Sequence, residues 1–115
     1  MSLLNPTEVR DILRSSRIGT WRVEFGAHIQ PRFYADAVMD ELLGISGEIS
    51  PQERFIFHRT RIHPDDMELF QEYSDKLSEI RSEIVYCYIH PVLGEMMVRC
   101  GGVCVSSDTD IVIIT

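Results

Sequence analysis

The residues best suited to chemistry are the tetrapeptide His63-Pro64-Asp65-Asp66, in which an imidazole lies beside two carboxylates. Such a set could contribute to a metal site or act as a general acid and base. The same residues also begin a helix well, because proline has the φ angle of a first helical position and the two Asp residues complement the positive end of the helix dipole. A metal site would need a third ligand at a suitable distance, and no helix carries two His residues spaced i, i+4. We therefore predict helix capping here, and neither a metal site nor a catalytic site.

The cysteines Cys87, Cys100 and Cys104 all lie in strand-like segments. Cys100 and Cys104 are four residues apart in one predicted strand, which separates their Cα atoms by about 13 Å. That distance is too long for a disulfide, so the one plausible redox pair is Cys87 with Cys100 across a hairpin. The odd number of cysteines argues against a disulfide scaffold and favours a reducing cytoplasm. We predict that the three cysteines fill space in a packed face.

Composition indicates one acidic globular domain. The 115 residues suit a single core, and 44% hydrophobic with 25% charged residues is normal for a globular protein. The net charge of −7 repels phosphate backbones, so we expect no nucleic-acid partner. The apolar stretches are far shorter than the ~20 residues of a membrane span, and no signal peptide opens the chain. We expect a cytoplasmic domain without membrane contact.

Hydrophobic periodicity predicts the elements that position these residues. The order is helix, two strands, three helices and three strands, which indicates an α+β domain with an antiparallel sheet and helices on one face. The first helix carries an apolar stripe that must pack on this domain, on a partner subunit or on a preceding domain. The last strand is apolar up to the final residues, so we expect the chain to end inside a larger protein. The predicted helices are 6–16, a short one between Asp36 and Gly44, a brief one from Pro51, and 64–79; the predicted strands are 20–25, 32–35, 83–89, 95–106 and 111–115.

Five segments, taken in order, resemble the PAS domain, especially the sensory-box type of bacterial signalling proteins. The most specific is Arg61 to Asp66, at the head of the longest helix. The others are Ile18-Gly19-Thr20-Trp21, Arg32-Phe33-Tyr34, Leu42-Leu43-Gly44-Ile45, and Tyr86 followed by His90-Pro91 and Gly94. The sequence departs from the family in lacking an Asp-Gly hairpin turn, a Trp in the following strand and the Asp-Ile-Thr ending.

The resemblance implies a five-stranded antiparallel sheet with helices on one face. Residues 1–17 would form an N-terminal flanking helix, and residues 18–115 a PAS sensor domain whose last strand is truncated. The domain would be a non-catalytic input module of a multidomain signalling protein, of the histidine kinase (two-component) or diguanylate cyclase type. It would form a homodimer through the N-terminal helix and be covalently linked to an output domain outside this chain. The alternatives are a small cone-shaped α+β enzyme or ligand carrier, and a purely structural dimerisation domain.

In this family a small molecule or cofactor often lies between the sheet and the helices. Apolar residues that would line such a pocket here are Phe33, Met39, Leu43, Phe55, Phe57, Phe70, Cys87 and Cys100. A filled core is the alternative. The resemblance does not identify a cofactor: the Asn-Cys-Arg motif of flavin photosensors is absent, so flavin photochemistry is not expected. Haem is not expected either, because its one candidate ligand by position, His58, is predicted to lie at the surface near Arg59 and Arg61.

Overall fold

The computed structural model describes residues 4–26, 28–77, 79–107 and 112–114, with the main chain alone for 106, 107 and 112–114. The order of elements confirms the predicted α+β class. In chain order the elements are α1 (Pro6–Ser15), β1 (Trp21–Gly26), β2 (Ile29–Ala35), α2 (Ala37–Leu43), α3 (Pro51–Thr60), a 3₁₀ turn (Pro64–Asp66), α4 (Met67–Leu77), β3 (Ser82–His90), β4 (Gly94–Gly102), β5 (Cys104–Ser107) and β6 (Val112–Ile114).

The helix starts follow from local capping. Asn5, Asp36 and Ser50 cap α1, α2 and α3, each accepting a hydrogen bond from a main-chain N–H at 2.8–3.2 Å. Gly44 ends α2 with a φ of 69°, which a residue with a side chain rarely adopts. A Cβ at Gly44 would also lie 2.7 Å from the side chain of Pro91. Glycine is therefore needed there for both its backbone conformation and the close approach of the β3–β4 hairpin.

The strands of the described ranges pair in an antiparallel manner throughout, in two sheets rather than the predicted one. The four-stranded sheet has the order β2-β1-β6-β5, and the two-stranded sheet is the β3-β4 hairpin. The long strand predicted over 95–106 is interrupted at Val103, directly after Gly101 and Gly102. Glycines weaken a strand because they have no side chain to pack and lose more conformational freedom. The predicted five strands therefore become six.

The first hairpin is tighter than predicted. The predicted strands ended at 25 and began at 32, but β2 already begins at Ile29, which pairs with Gly26. Pro31 thus lies inside a strand, where it has no N–H to donate. This is tolerated because β2 is the edge strand of its sheet.

The start of the longest helix is tighter than predicted. Residues 64–66 form a 3₁₀ turn, and α4 begins only at Met67 and ends at Leu77 rather than at 79. His63 is the cap, since its Nδ1 accepts a hydrogen bond from the main-chain N–H of Asp65 at 3.1 Å. The structure confirms capping by His63.

The segment before α4 also covers the free edge of β3. The main-chain N–H of Ile89 donates to the Arg61 carbonyl at 2.7 Å, and that of His63 donates to the Cys87 carbonyl at 2.9 Å. A carboxylate oxygen of Asp66 accepts the Cys87 N–H at 2.7 Å. An uncovered strand edge exposes unpaired main-chain groups, and this segment satisfies three of them. The tetrapeptide therefore has a structural role both in starting the helix and in forming hydrogen bonds with β3.

The core lies between the inner faces of the strands and the helices. Alternate residues of the strands point inward and meet α2 and α4 in one buried cluster. Its members are Val23, Phe33, Leu43, Ile45, Ile62, Phe70, Tyr73, Leu77, Ile84, Tyr86 and Tyr88. This arrangement places any internal cavity between the sheets and the helical layer.

Candidate ligand-binding site

A cavity of about 500 Å³ lies between the strands and the helices. Its size falls in the range of small-molecule sites, and aromatic and aliphatic side chains dominate its lining. The structure brings six of the eight residues proposed from the sequence to this cavity, namely Phe33, Met39, Leu43, Phe55, Phe70 and Cys100. They come from β2, α2, α3, α4 and β4, so every layer of the domain contributes to the wall.

Phe57 and Cys87 lie elsewhere, which corrects the proposed set. The Phe57 ring lies beneath the Arg61 guanidinium, whose central carbon is 4.4 Å from the ring centre. Cys87 pairs with Met97 on the outer face of the β3–β4 hairpin, whereas Cys100 points inward. Because successive strand residues point to opposite faces, the suggested Cys87–Cys100 redox pair is wrong.

His58 is buried in the core, and the prediction that it lies at the surface is wrong. Its exposed fraction is 7%. The imidazole is stacked between Phe33 and Tyr88, with ring centres 5.6 and 5.7 Å away, and its Nε2 is hydrogen-bonded to the Tyr86 hydroxyl at 2.8 Å. Burial, with a smaller effect from the charge of Arg59, lowers the pKa of His58 to about 3. The ring is therefore neutral in the folded protein at physiological pH.

A second polar contact, between the Tyr73 hydroxyl and the Cys100 thiol, lies on the cavity wall at 3.5 Å. Burial raises the pKa of the Cys100 thiol, although hydrogen bonds with Tyr73 and Trp21 oppose that effect. Burial likewise raises the pKa of Tyr73. Both groups are therefore protonated at neutral pH, and they give the wall hydrogen-bonding capacity without charge.

Arg59 supplies a charge to the same wall. The central carbon of its guanidinium lies 4.9 Å from the Phe55 ring centre and 4.8 Å from that of Phe70. Its Nη2 donates to the Ser74 hydroxyl at 3.1 Å. Burial lowers the pKa of Arg59, while the charge of Asp75 raises it. An arginine stays protonated even so, because its ordinary pKa is above 12.

The charged residues of the wall all have one sign. Among the lining residues that the structure describes there are three arginines and no Asp or Glu. Two of them, Arg17 and Arg99, are exposed at the rim and pair with Glu41 at 3.7 Å and with Glu83 at 3.2 Å. The described lining thus contributes cations and no carboxylate, in a chain whose net charge is −7.

Sequence reasoning missed His58 and Arg59 because it placed His58 at the surface near Arg59 and Arg61. Arg54 is also buried, where two of its nitrogens hydrogen-bond the Asp40 carboxylate and so join α3 to α2. The available signal was spacing, since Arg54 and His58 are four residues apart and share one face of α3. Hydrophobicity alone favoured the Phe55–Phe57 run, whose middle residue, Ile56, is 59% exposed.

The described ranges contain neither a metal cluster nor a membrane-spanning helix. No group of three or more His, Cys, Asp or Glu side chains there is arranged to hold a metal ion. No helix in the same part of the chain has the length and apolar character needed to cross a bilayer.

The architecture matches that of known sensor domains. The chain is similar to the N-terminal domain of a diguanylate cyclase with a PAS/PAC sensor from Marinobacter aquaeolei, with a TM-score of 0.55 and 22% identity, over 83% of this chain and 92% of that one. The chain has the PAS fold. It is also similar to an RNA-binding light-oxygen-voltage receptor, with a TM-score of 0.57 and 11% identity, although it covers only 27% of that chain. The predicted PAS fold is confirmed.

At the level of sequence, no protein-family model and no curated protein matches the chain. The two structural similarities, both below 25% identity, therefore establish the PAS fold rather than a shared activity.

Proposed function

We propose that the chain is a non-catalytic sensory input domain that binds a small molecule in the cavity between its strands and helices. The observation that carries this proposal is the 500 Å³ space itself, since a structural domain of this size would be expected to fill its core. The aromatic lining would bury an apolar ligand, and the few polar groups of the wall would orient it.

The polarity of the wall favours binding over catalysis. An enzyme of the alternative, cone-shaped type would need a carboxylate or a titrating histidine directed into its cavity. Among the described lining residues there is no Asp or Glu, and His58 is held neutral with its Nε2 engaged by Tyr86. These observations support a non-catalytic role.

The effect of ligand binding would be transmitted through contacts that join the cavity to the rest of the domain. Tyr88 lies in the core beside His58 and donates its hydroxyl hydrogen bond to the Leu43 carbonyl at 2.6 Å. This bond links β3 to the last turn of α2, so a ligand that moves one of these elements acts on the other. A ligand changes the output only by binding two conformations with different affinity.

The parent protein would be a cytoplasmic, multidomain signalling protein of the histidine kinase or diguanylate cyclase type. Support comes from the Marinobacter aquaeolei neighbour, which is the N-terminal domain of a diguanylate cyclase with a PAS/PAC sensor. The output domain would be covalently linked outside this chain, and residues 1–17 would act as the segment that flanks the sensor domain at 18–115.

Dimerisation through α1 is part of this proposal. None of the residues of α1, all of which the structure describes, is buried. Val9 and Ile12 on its apolar side are 40% and 50% exposed. A second cavity of about 290 Å³ separates this helix from the start of α2, so α1 packs loosely on its own domain. A second copy of α1 would cover the exposed stripe.

Native mass spectrometry of the purified chain tests both parts. We expect a dimer that carries a small molecule or takes one up from a fragment library, and we expect Ile12→Glu to convert the dimer to a monomer that still binds the ligand. A monomeric wild-type chain would overturn the dimer. A chain that takes up no compound would overturn the sensory proposal.

A further inference from the structure

The charge of the cavity wall indicates which class of ligand it takes. Arg59 lies in the wall against Phe55, Phe70 and the Ser74 hydroxyl, and none of these three partners carries a negative charge. The carboxylate of Asp75 acts on Arg59 through its charge. That carboxylate offsets part of the cost of desolvating the guanidinium, and an anion bound in the cavity would offset more of it.

The two other arginines of the described lining are already paired. Arg17 and Arg99 are both exposed and form ion pairs with Glu41 and Glu83. The third arginine, Arg59, donates instead to the neutral Ser74 hydroxyl. Arg59 is therefore the cation to which an anionic ligand would bind.

We propose that the cavity binds an apolar monocarboxylate, with its carboxylate on the Arg59 guanidinium and the Ser74 hydroxyl and its hydrocarbon body against the aromatic wall. The guanidinium presents paired N–H donors in a plane that match the two oxygens of a carboxylate. Cation–π contacts with Phe55 and Phe70 hold that plane in place before the ligand arrives. One guanidinium outside the two ion pairs, in a lining that is mainly aromatic and aliphatic, suits a single negative charge on an apolar body.

This inference rests on the proposed function. A comparison of acids with their neutral amides distinguishes a failure of the inference from a failure of the proposed function. Isothermal titration calorimetry of the 115-residue chain would use phenylacetate and octanoate beside phenylacetamide and octanamide. The amides have nearly the same shape and lack the charge. We expect each acid to bind the wild-type chain about tenfold to hundredfold more tightly than its amide, which is the range of a charge-assisted hydrogen bond.

Variants at Arg59 and Arg99 test which arginine causes the preference for the acid. We expect Arg59→Gln to weaken binding of the acid far more than binding of the amide and so to remove most of the preference for the acid, and Arg59→Lys to keep part of it. The matched control is Arg99→Gln at the rim, which should retain the preference. Circular dichroism and thermal melting of each variant show that it is folded, and the acid–amide comparison in the wild-type chain does not depend on any variant.

Three results would overturn the inference. An amide that binds the wild-type chain as tightly as its acid would refute anion selectivity while leaving the cavity as a ligand site. A preference that persists in Arg59→Gln would refute the role of Arg59. Binding of none of the four probes would refute the ligand class, and the native mass spectrum would then decide the sensory function separately.

Discussion

Acidification from pH 7 to pH 5 should destabilise the fold through His58. Its imidazole is stacked inside the core, and burial, assisted by the charge of Arg59, lowers its pKa to about 3. Unfolding returns the pKa to about 6.5. The unfolded chain therefore takes up a proton that the folded chain excludes. The stabilisation from the neutral ring is complete above the unfolded pKa and is lost as the pH falls below it. Linkage gives a loss of about 2 kcal/mol in the free energy of unfolding between pH 7 and pH 5.

Urea unfolding at the two pH values measures this loss. The control is the double variant His58→Phe/Tyr86→Phe, which keeps an aromatic ring in the stack and leaves no unpaired hydroxyl at Tyr86. Other histidines and carboxylates titrate in both proteins, so the difference between the two pH dependences isolates His58. We expect the double variant to lose about 2 kcal/mol less than the wild type. Equal losses would refute a buried, neutral His58.

Three further substitutions test the contacts that join the elements, each by the free energy of unfolding in urea at pH 7. Asp66→Ala removes the acceptor of the Cys87 N–H and should cost about 1–3 kcal/mol, whereas Asp66→Asn keeps an oxygen acceptor and should cost about 1 kcal/mol or less. Equal losses in the free energy of unfolding of the two variants would contradict the hydrogen bond from the Cys87 N–H to Asp66. Gly44→Ala should cost at least about 1 kcal/mol, because a Cβ at a φ of 69° meets Pro91; a neutral effect would contradict that packing. Tyr88→Phe leaves a buried carbonyl unpaired at the end of α2 and should cost about 1–3 kcal/mol, and an unchanged stability would show that the hydrogen bond is not formed.

Local sequence signals predicted the helices well because capping acts within a few residues. Asn5, Asp36, Ser50 and His63 each accept a hydrogen bond from an N–H two or three residues ahead. Gly44 ends its helix in the left-handed conformation that glycine favours. These choices depend on neighbours along the chain, so the order of elements could be read directly.

Long-range contacts were the part that the sequence could not supply. Nothing local indicates that Asp66 accepts from Cys87, twenty-one residues away, or that His58 lies between two rings of different strands. The composition of α3 favoured its phenylalanines as the inner face, yet the buried face includes Arg54 and His58. Polar residues can occupy a core once partners from other elements satisfy them, and those partners are visible only in the fold.

The same limit applies to the cavity. Large apolar side chains on several elements are equally consistent with a filled core and with a lined space, because the difference depends on how far apart the layers lie. Met39 and Phe70 were therefore compatible with both interpretations, and the structure places them on the wall of an open volume.

The most direct test of the account is whether a small molecule binds inside this cavity. Trp21 is the only tryptophan of the chain and lines the cavity, so its emission reports binding there. Val98→Phe would fill the cavity from β4, and Val85→Phe places the same side chain on the exposed face of β3 as a control. Titration with anilinonaphthalene sulfonate should quench Trp21 with one-to-one saturation in the wild-type and Val85→Phe chains, and at least about tenfold more weakly in Val98→Phe. Unsaturable quenching, or equal affinity in Val98→Phe, would contradict a ligand site between the strands and the helices.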